Sequence, residues 1–351
     1  MPMRAVTPTS RRIPSRKTPD TVLIGGLTPM TKKNTAPALV ITCIQRAGGG
    51  GKTTTSTALA THLALRGYAT LYIEFDGHAR AFIRLIGNIK RNAPALDVAQ
   101  TSFALLQPET YHIEKASFRI DMDATFNRSS LSVDTIARVK QERGWNNPNI
   151  LDIIPGHPKL ESVDSDFAIE EYKARSESTT FDPNMQSEAS IEHLRQFYDY
   201  IICDTPASLR KLAWNALIPA DLVFMPIGFD PGSIEDYDET IRTFQQVVSV
   251  CERKRKPIPR FIGVVGNYFN ADSALSKSVF QSYIGPHPDP DTNTMVPAAI
   301  PYPLIGCLPM DQDTVANAWA KHMTVHTSAP QSTFGKALHE FCKTVESIGG
   351  R

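Results

Sequence analysis

The residues with the clearest chemistry are a lysine and a threonine behind a run of glycines, "ITCIQRAGGGGKTTTSTALATHL", residues 41–63. Gly48, Gly49, Gly50 and Gly51 precede Lys52, Thr53 and Thr54. Glycine accepts the strained turns that let consecutive backbone N–H groups converge on an anion. A lysine closing such a loop reaches the β- and γ-phosphates of a nucleotide, and the hydroxyl after it holds Mg²⁺. The usual spacing, G-x-x-x-x-G-K-[ST], would put glycine at position 46, where this chain has Arg46.

A phosphate loop needs a strand before it and a helix after it. "ALVITCI", Ala38–Ile44, is an apolar, partly β-branched run that ends at the loop and predicts a buried strand. Ala58, Leu59, Leu63 and Leu65 follow near helical spacing, and Gly67 is a helix stop. The helix N-terminus would face the anion. Downstream, strands are predicted at Ala69–Phe75, from Ile150 to Pro155, and at Tyr198–Asp204, Ala220–Ile227, Arg260–Asn267 and Pro303–Pro309. Helices are predicted near 79–87, at Val133–Arg143, at 187–197, over the long amphipathic stretch "IEDYDETIRTFQQVVSVCERK" and over "STFGKALHEFCKTVESI". Residues 156–186 read as polar and loop-rich, and most of 88–149 gives no clear pattern. Strands separated by helices predict an α/β fold, a mostly parallel twisted sheet covered on both faces. Ligands of such sheets sit at the carboxyl ends of the strands, where Gly48–Thr53, Asp76 and Asp204 would emerge.

Composition bounds the function classes. The chain has 351 residues, 41% hydrophobic and 21% charged, with a formal net charge of +1, so bulk charge favours no partner. No apolar run approaches the roughly 18 residues of a membrane span. Cys43, Cys203, Cys251, Cys307 and Cys342 are scattered without metal or redox spacing, which predicts reduced thiols and a cytoplasmic protein. Residues 1–37 carry Arg4, Arg11, Arg12, Arg16, Lys17, Lys32 and Lys33 against Asp20 alone, with six prolines. They predict a disordered basic arm, which either meets an acidic surface or is a solvated tail, ahead of a single P-loop ATPase domain over 38–351.

Three further stretches carry a family resemblance. "YDYIICDTPASLRKLAWNALIPADLVFMPI", "TLYIEFDGHA" and "IGCLPMDQDTVANAWAKHMTVHTSAPQSTFGKALHEF" resemble the Walker B and switch II region, the switch I region and the C-terminal segment of the ParA/MinD family of deviant-Walker P-loop ATPases. The likeness runs over about residues 38–348 and is weakest over 88–149.

The resemblance implies ATP and Mg²⁺ as cofactors. It implies that Asp204 holds Mg²⁺ through a water beside Thr53 and that Asp76 orients the attacking water, with Glu74 in the place of an earlier aspartate. Asn267 either reads the adenine edge or simply ends its strand. The family's loop reads K-G-G-x-G-K-[ST], and its first lysine reaches the partner's phosphates across an ATP-bound dimer; here that position is Ala47. Transition-state charge still requires a cation, for which Arg46, Arg210 and Lys211 are the candidate substitutes.

Relatives of this kind form homodimers with ATP, bind DNA without sequence preference and release it when a ParB-like adaptor stimulates hydrolysis. In this chain "CERKRKPIPR" concentrates Arg253, Lys254, Arg255, Lys256 and Arg260, a cluster suited either to DNA phosphates or to the solvated end of a helix. The resemblance thus implies a nucleoid-associated ATPase that segregates plasmid or chromosomal DNA. The alternatives are positioning of a non-DNA cargo and a weakly hydrolysing nucleotide-dependent scaffold. An iron–sulfur reductase is disfavoured by cysteines that lie in strand-like runs.

Overall fold

The computed structural model describes residues 36–86, 97–107, 118–120, 131–145, 150–230, 232–284, 287–288, 294–296, 298 and 300–350. The basic arm over 1–37 therefore lies, but for its last two residues, outside the described residues.

Eight strands form one sheet in the order β10-β7-β6-β1-β5-β2-β4-β3. They are β1 (Leu39–Cys43), β2 (Thr70–Glu74), β3 (Phe118–Ile120), β4 (Leu151–Ile154), β5 (Tyr200–Asp204), β6 (Leu222–Gly228), β7 (Arg260–Phe269) and β10 (Leu304–Pro309). Every pairing is parallel except β3 against β4, an antiparallel edge. A small hairpin pairs β8 (His287–Pro288) with β9 (Met295–Val296). The α/β class with a mostly parallel sheet is the one the strand and helix alternation predicts.

The central strands are apolar throughout because both faces are covered, yet their side chains still alternate. Ile41, Tyr72, Tyr200, Ile202 and Phe224 point into one hydrophobic cluster. Val40, Leu71, Ile73, Ile201, Cys203 and Val223 point into the other. The first face is covered by α1 (Lys52–Leu65), α2 (Arg80–Ile86), α4 (Val133–Arg143), α10 (Gln312–Ala320), α11 (Val325–Ser328) and α12 (Thr333–Gly349). The second is covered by α3 (Ser102–Leu105), α5 (Val163–Ser176), α6 (Glu188–Leu194), α7 (Lys211–Leu217) and α8 (Gly232–Arg253), and α9 (Ala274–Ile284) packs at the β7 side. Cys43, Cys203, Cys251 and Cys342 are buried free thiols, and Cys307 is half-buried.

Local sequence explains the element ends. Ser132 accepts from the Thr135 N–H and Gly144 takes a left-handed conformation, which frames α4 at the predicted residues. Ser332 caps α12 through the Gly335 N–H, and Gly350 closes it. The long helix α8 buries Tyr237, Thr240, Ile241, Phe244, Val247 and Cys251, spaced three and four residues apart.

One expectation is corrected. Residues 156–186 are not simply loop, because a 3₁₀ turn at Pro158–Ser162 leads into the 14-residue helix α5. That helix buries only Val163, Phe167 and Ala174, too few apolar positions to give a periodic signal. Its charge pattern is helical all the same: Asp164 and Asp166 lie in the first turn, Lys173 and Arg175 in the last.

Candidate functional site

The parallel sheet brings its carboxyl ends to one edge. Register pairs Cys43 of β1 and Glu74 of β2 with Asp204 of β5, so the carboxylate stands between the glycine-loop strand and the Asp76 strand. A cavity of about 910 Å³ opens along this edge. Gly48, Gly49, Gly51, Lys52, Thr53, Thr54, Asp76, Asn267 and Arg210 all line it.

Inside the loop, Gly49 and Gly51 have φ of 82° and 94°, backbone that side chains rarely adopt. A Cβ at Gly51 would also strike the Asn267 amide, and one at Gly50 would strike the Gln45 side chain. Conformation thus favours glycine at 49 and 51, and at 51 the Asn267 amide adds a contact constraint. Asn267 donates from Nδ2 to the Gly50 carbonyl at 3.0 Å, and the Tyr268 hydroxyl donates to the Gly49 carbonyl at 2.6 Å. Asn267 therefore braces the loop from the end of β7. Tyr268, with φ of 62°, does the same and was not singled out by the sequence.

Lys52 opens α1 and is buried, donating from Nζ to the Ala47 carbonyl at 2.8 Å. Burial lowers its pKa, and the Asp204 carboxylate opposes that shift. The Thr53 hydroxyl donates to Asp204 Oδ2 at 2.8 Å, and Tyr72 donates to the same oxygen at 2.9 Å. Asp204 Oδ1 is buried with no partner among the described residues. Burial raises the Asp204 pKa to about 6 against the pull of those two hydroxyls. An unpartnered carboxylate oxygen beside a threonine hydroxyl is the donor set that suits a hard, oxygen-seeking cation such as Mg²⁺.

Asp76 follows β2 and lies at the cavity. Its Oδ1 accepts from the His78 N–H and faces His78 Nδ1, both at 2.9 Å. A Cβ at Gly156 would collide with the Asp76 carbonyl, so the β4 loop passes this turn only as glycine. Glu74 does not face the cavity. It is fully buried, accepts from the Ala81 and Phe82 N–H groups at the start of α2, and burial raises its pKa to about 8. These bonds tie the end of β2 to the first turn of α2, on either side of the turn that carries Asp76.

The candidate cations divide. Arg210 lines the cavity and lies 3.7 Å from Asp164. Arg46 turns away from it to Glu239 at 2.8 Å and Asp236 at 3.5 Å on α8. Lys211 lines a separate depression with Lys254. Two cavity cations that the sequence did not flag are Arg80 and Arg84, the latter stacked 5.0 Å over the Trp319 ring. Their signal lay in α2, which follows Asp76 by one turn.

The basic stretch at the end of α8 is partly neutralised within the chain. Lys254 is held by Asp182 at 2.5 Å and Lys256 by Glu188 at 2.6 Å. Arg260 donates to the Ile348 carbonyl at 3.2 Å, and Arg253 to the Ser249 carbonyl of its own helix. Arg255 has a φ of 54° and is exposed.

The AAA-domain family model matches residues 38–256, more than half of the chain. The chromosome partitioning protein ParA of Caulobacter vibrioides is 25% identical over 249 residues, which span 69% of this chain and 74% of that protein. The solved complex of Cyanothece McdA(D38A) with ATP has a TM-score of 0.61 at 15% identity and covers 90% of this chain and 98% of that one. Cobyrinic acid a,c-diamide synthase from Mycobacterium smegmatis, with a bound ATP analogue and magnesium, has a TM-score of 0.58 at 15% identity and covers 89% and 96%. At those identities the two structures speak to the fold. No helix among the described residues is long and apolar enough to cross a membrane.

Proposed function

The chain belongs to the ParA/MinD family of P-loop ATPases, and from that premise we propose that it hydrolyses Mg²⁺-ATP to drive a partition or positioning cycle. The observation that carries this reading is convergence: Lys52, Thr53 and Asp76 line one cavity, and Asp204, buried behind it at the end of β5, accepts from the Thr53 hydroxyl. The glycine loop and Lys52 hold the phosphates. Thr53, and Asp204 through a water, would hold Mg²⁺, which would supply charge neutralisation at the phosphates. Asp76 orients the attacking water, and the His78 N–H and Nδ1, both 2.9 Å from Oδ1, position its carboxylate. ATP closes a homodimer that binds DNA without sequence preference on the nucleoid, a ParB-like adaptor triggers hydrolysis, and the DNA cargo is segregated in the cytoplasm. The 38–351 stretch serves as one ATPase domain and residues 1–37 as its basic arm.

Supply of the missing cation is assigned to Arg210, which lies at the cavity, rather than to Arg46, which α8 acids hold. Arg80 is the next candidate by position. A second reading, a weakly hydrolysing scaffold, is favoured by Ala47, whose methyl cannot reach a phosphate.

The test measures dimerisation, DNA retention and phosphate release for the full chain with Mg²⁺-ATP, with ADP and with no nucleotide. ATP-dependent dimers that retain DNA in a salt-sensitive way are expected. Failure to dimerise or to bind ATP sinks the proposal. Arg210→Ala should lower hydrolysis while leaving ATP affinity in place. Ala47→Lys raising hydrolysis by about tenfold or more, roughly 1.4 kcal/mol in the barrier, with Arg210→Ala silent, would favour the scaffold.

A further inference from the structure

At the end of α1 farthest from the glycine loop, three histidines from three helices meet. His62 comes from the last turn of α1, His326 from α11 and His339 from α12. One ring nitrogen from each lies within 4.8 Å of the others. His62 and His326 are completely buried, and His339 is nearly so. The ring centroids are 5.3 to 6.4 Å apart, and Trp145 packs against all three.

Ring contacts account for the faces of these imidazoles but not for the nitrogens in their planes. Both nitrogens of His326, Nδ1 of His62 and Nδ1 of His339 are buried without a hydrogen-bond partner among the described residues. A neutral imidazole has one N–H donor and one lone pair, and burying either unpaired is unfavourable. His62 has one partner: its Nε2 lies 3.0 Å from Glu346 Oε2, while Arg66 donates to Oε1 at 3.0 Å. An ionised carboxylate only accepts, so it draws the His62 proton to Nε2 and leaves the lone pair on Nδ1. A carboxylate behind the far nitrogen is the usual support of a metal-ligating histidine.

We propose that His62, His326 and His339 form a site for a first-row divalent cation of the zinc type, which clamps the end of α1 to α11 and α12. Imidazole nitrogen is a good ligand for such ions. Metal–nitrogen bonds of about 2.0–2.1 Å in tetrahedral geometry, with a water as fourth ligand, set ligand atoms roughly 3.3 Å apart, so ring nitrogens now within 4.8 Å close by up to about 1.5 Å on loading. Burial disfavours the protonated form at all three histidines, which keeps their lone pairs available. The charges facing the cluster are mixed. Glu346 attracts a cation, whereas Arg66, Arg143 and Lys343 oppose one. Arg143 is held back by its own contacts, stacked 4.9 Å over the Trp145 ring and donating to the Pro330 carbonyl. The site is distinct from the Thr53–Asp204 pair, since His62 lies nine residues beyond Thr53 on α1, about 14 Å along the helix axis.

The test strips the full chain with a chelator and titrates it with Zn²⁺ or Co²⁺ alone, with excess Mg²⁺ occupying the phosphate site. One equivalent per chain is expected, with the intense visible absorption of four-coordinate Co²⁺. His339→Gln, at the least buried position, should lower affinity by at least about 100-fold, and Glu346→Gln by about 10–100-fold. Nucleotide affinity should not change in either variant. His326→Asn should also abolish uptake; if it fails to fold, the His339→Gln comparison still decides. No stoichiometric uptake, or equal uptake by wild type and His339→Gln, overturns the proposal.

Discussion

At its N-terminus α1 presents Lys52 and Thr53 to an open cavity, and at its C-terminus it buries His62 among side chains from two other helices. Both ends hold buried polar groups with unmet partners, but they are made differently. The N-terminal end is built from backbone: glycine N–H groups, a helix start and one reaching lysine. Its carboxylate, Asp204, keeps an unpartnered oxygen, and burial lowers the pKa of Lys52. The C-terminal end is built from side chains gathered over long separations, and an ion pair from Glu346 to Arg66 closes it. The contrast teaches that the two ends answer to different demands. Polar groups left unsatisfied do not support the fold, so changes at the glycine-loop end and at the unpartnered histidine nitrogens should be read in ligand binding. Polar groups paired within the fold, as Glu346 is with His62 and Arg66, should be read in stability.

Three substitutions probe that contrast and a set on α8 tests a face outside it, from the largest expected effect to the smallest. Asp76→Ala should lower ATP turnover by about 10²–10⁴-fold, the range of a lost proton-handling or water-orienting group, while ATP still binds. Steady-state phosphate release beside equilibrium nucleotide binding checks it, and unchanged turnover moves the water-orienting role elsewhere.

Lys52→Ala should weaken nucleotide binding by about 100-fold or more, on the order of 3 kcal/mol. The melting temperature without nucleotide should hardly move, because removing a desolvated charge offsets the lost bond to the Ala47 carbonyl. A drop of many degrees would break the comparison, since the phosphate end would then be structural too.

Glu346→Gln should behave in the opposite way. It should cost about 1–3 kcal/mol of stability in the metal-free chain, because a charge-assisted contact to Arg66 is lost next to His62. Denaturant unfolding measures this, and ATP affinity should stay within error. Weakened ATP binding in this variant would couple the two ends of α1 and undo their separation.

The smallest effects should come from the basic end of α8, which belongs to neither site. If DNA meets this face, Arg253→Ala and Arg255→Ala should each reduce the salt slope of binding by about 1. Lys254→Ala and Lys256→Ala should change it less, because Asp182 and Glu188 already hold those amines. Equal effects from all four would mean that DNA competes those ion pairs away.

The strand–glycine loop–helix arrangement at the start of α1 was readable in the chain because its parts are contiguous: an apolar strand, glycines, a lysine and a helix start. Asp76 and Asp204 were readable as carboxylates that end strands. The helix α5 was not, since only three of its side chains are buried and the rest give no apolar period. Arg80 and Arg84 were also missed as cavity cations, because helical spacing reports a buried face and not which ligand space the other face borders.

What the sequence determined by itself was the alternation of the main strands and helices, the parallel sheet class and the glycine loop between β1 and α1, all set by short-range backbone preference and apolar runs. Only the tertiary structure decided which charges reach the cavity. Arg46, next to the loop in sequence, is drawn off by α8 acids, whereas Arg210 arrives at it. It also decided the histidine cluster, whose members are joined by no spacing rule; His62 and Glu346 are 284 positions apart. The reason is physical. A backbone cradle is specified by neighbours along the chain, but a side-chain cluster exists only once sheet order and helix packing have closed the distance between its parts.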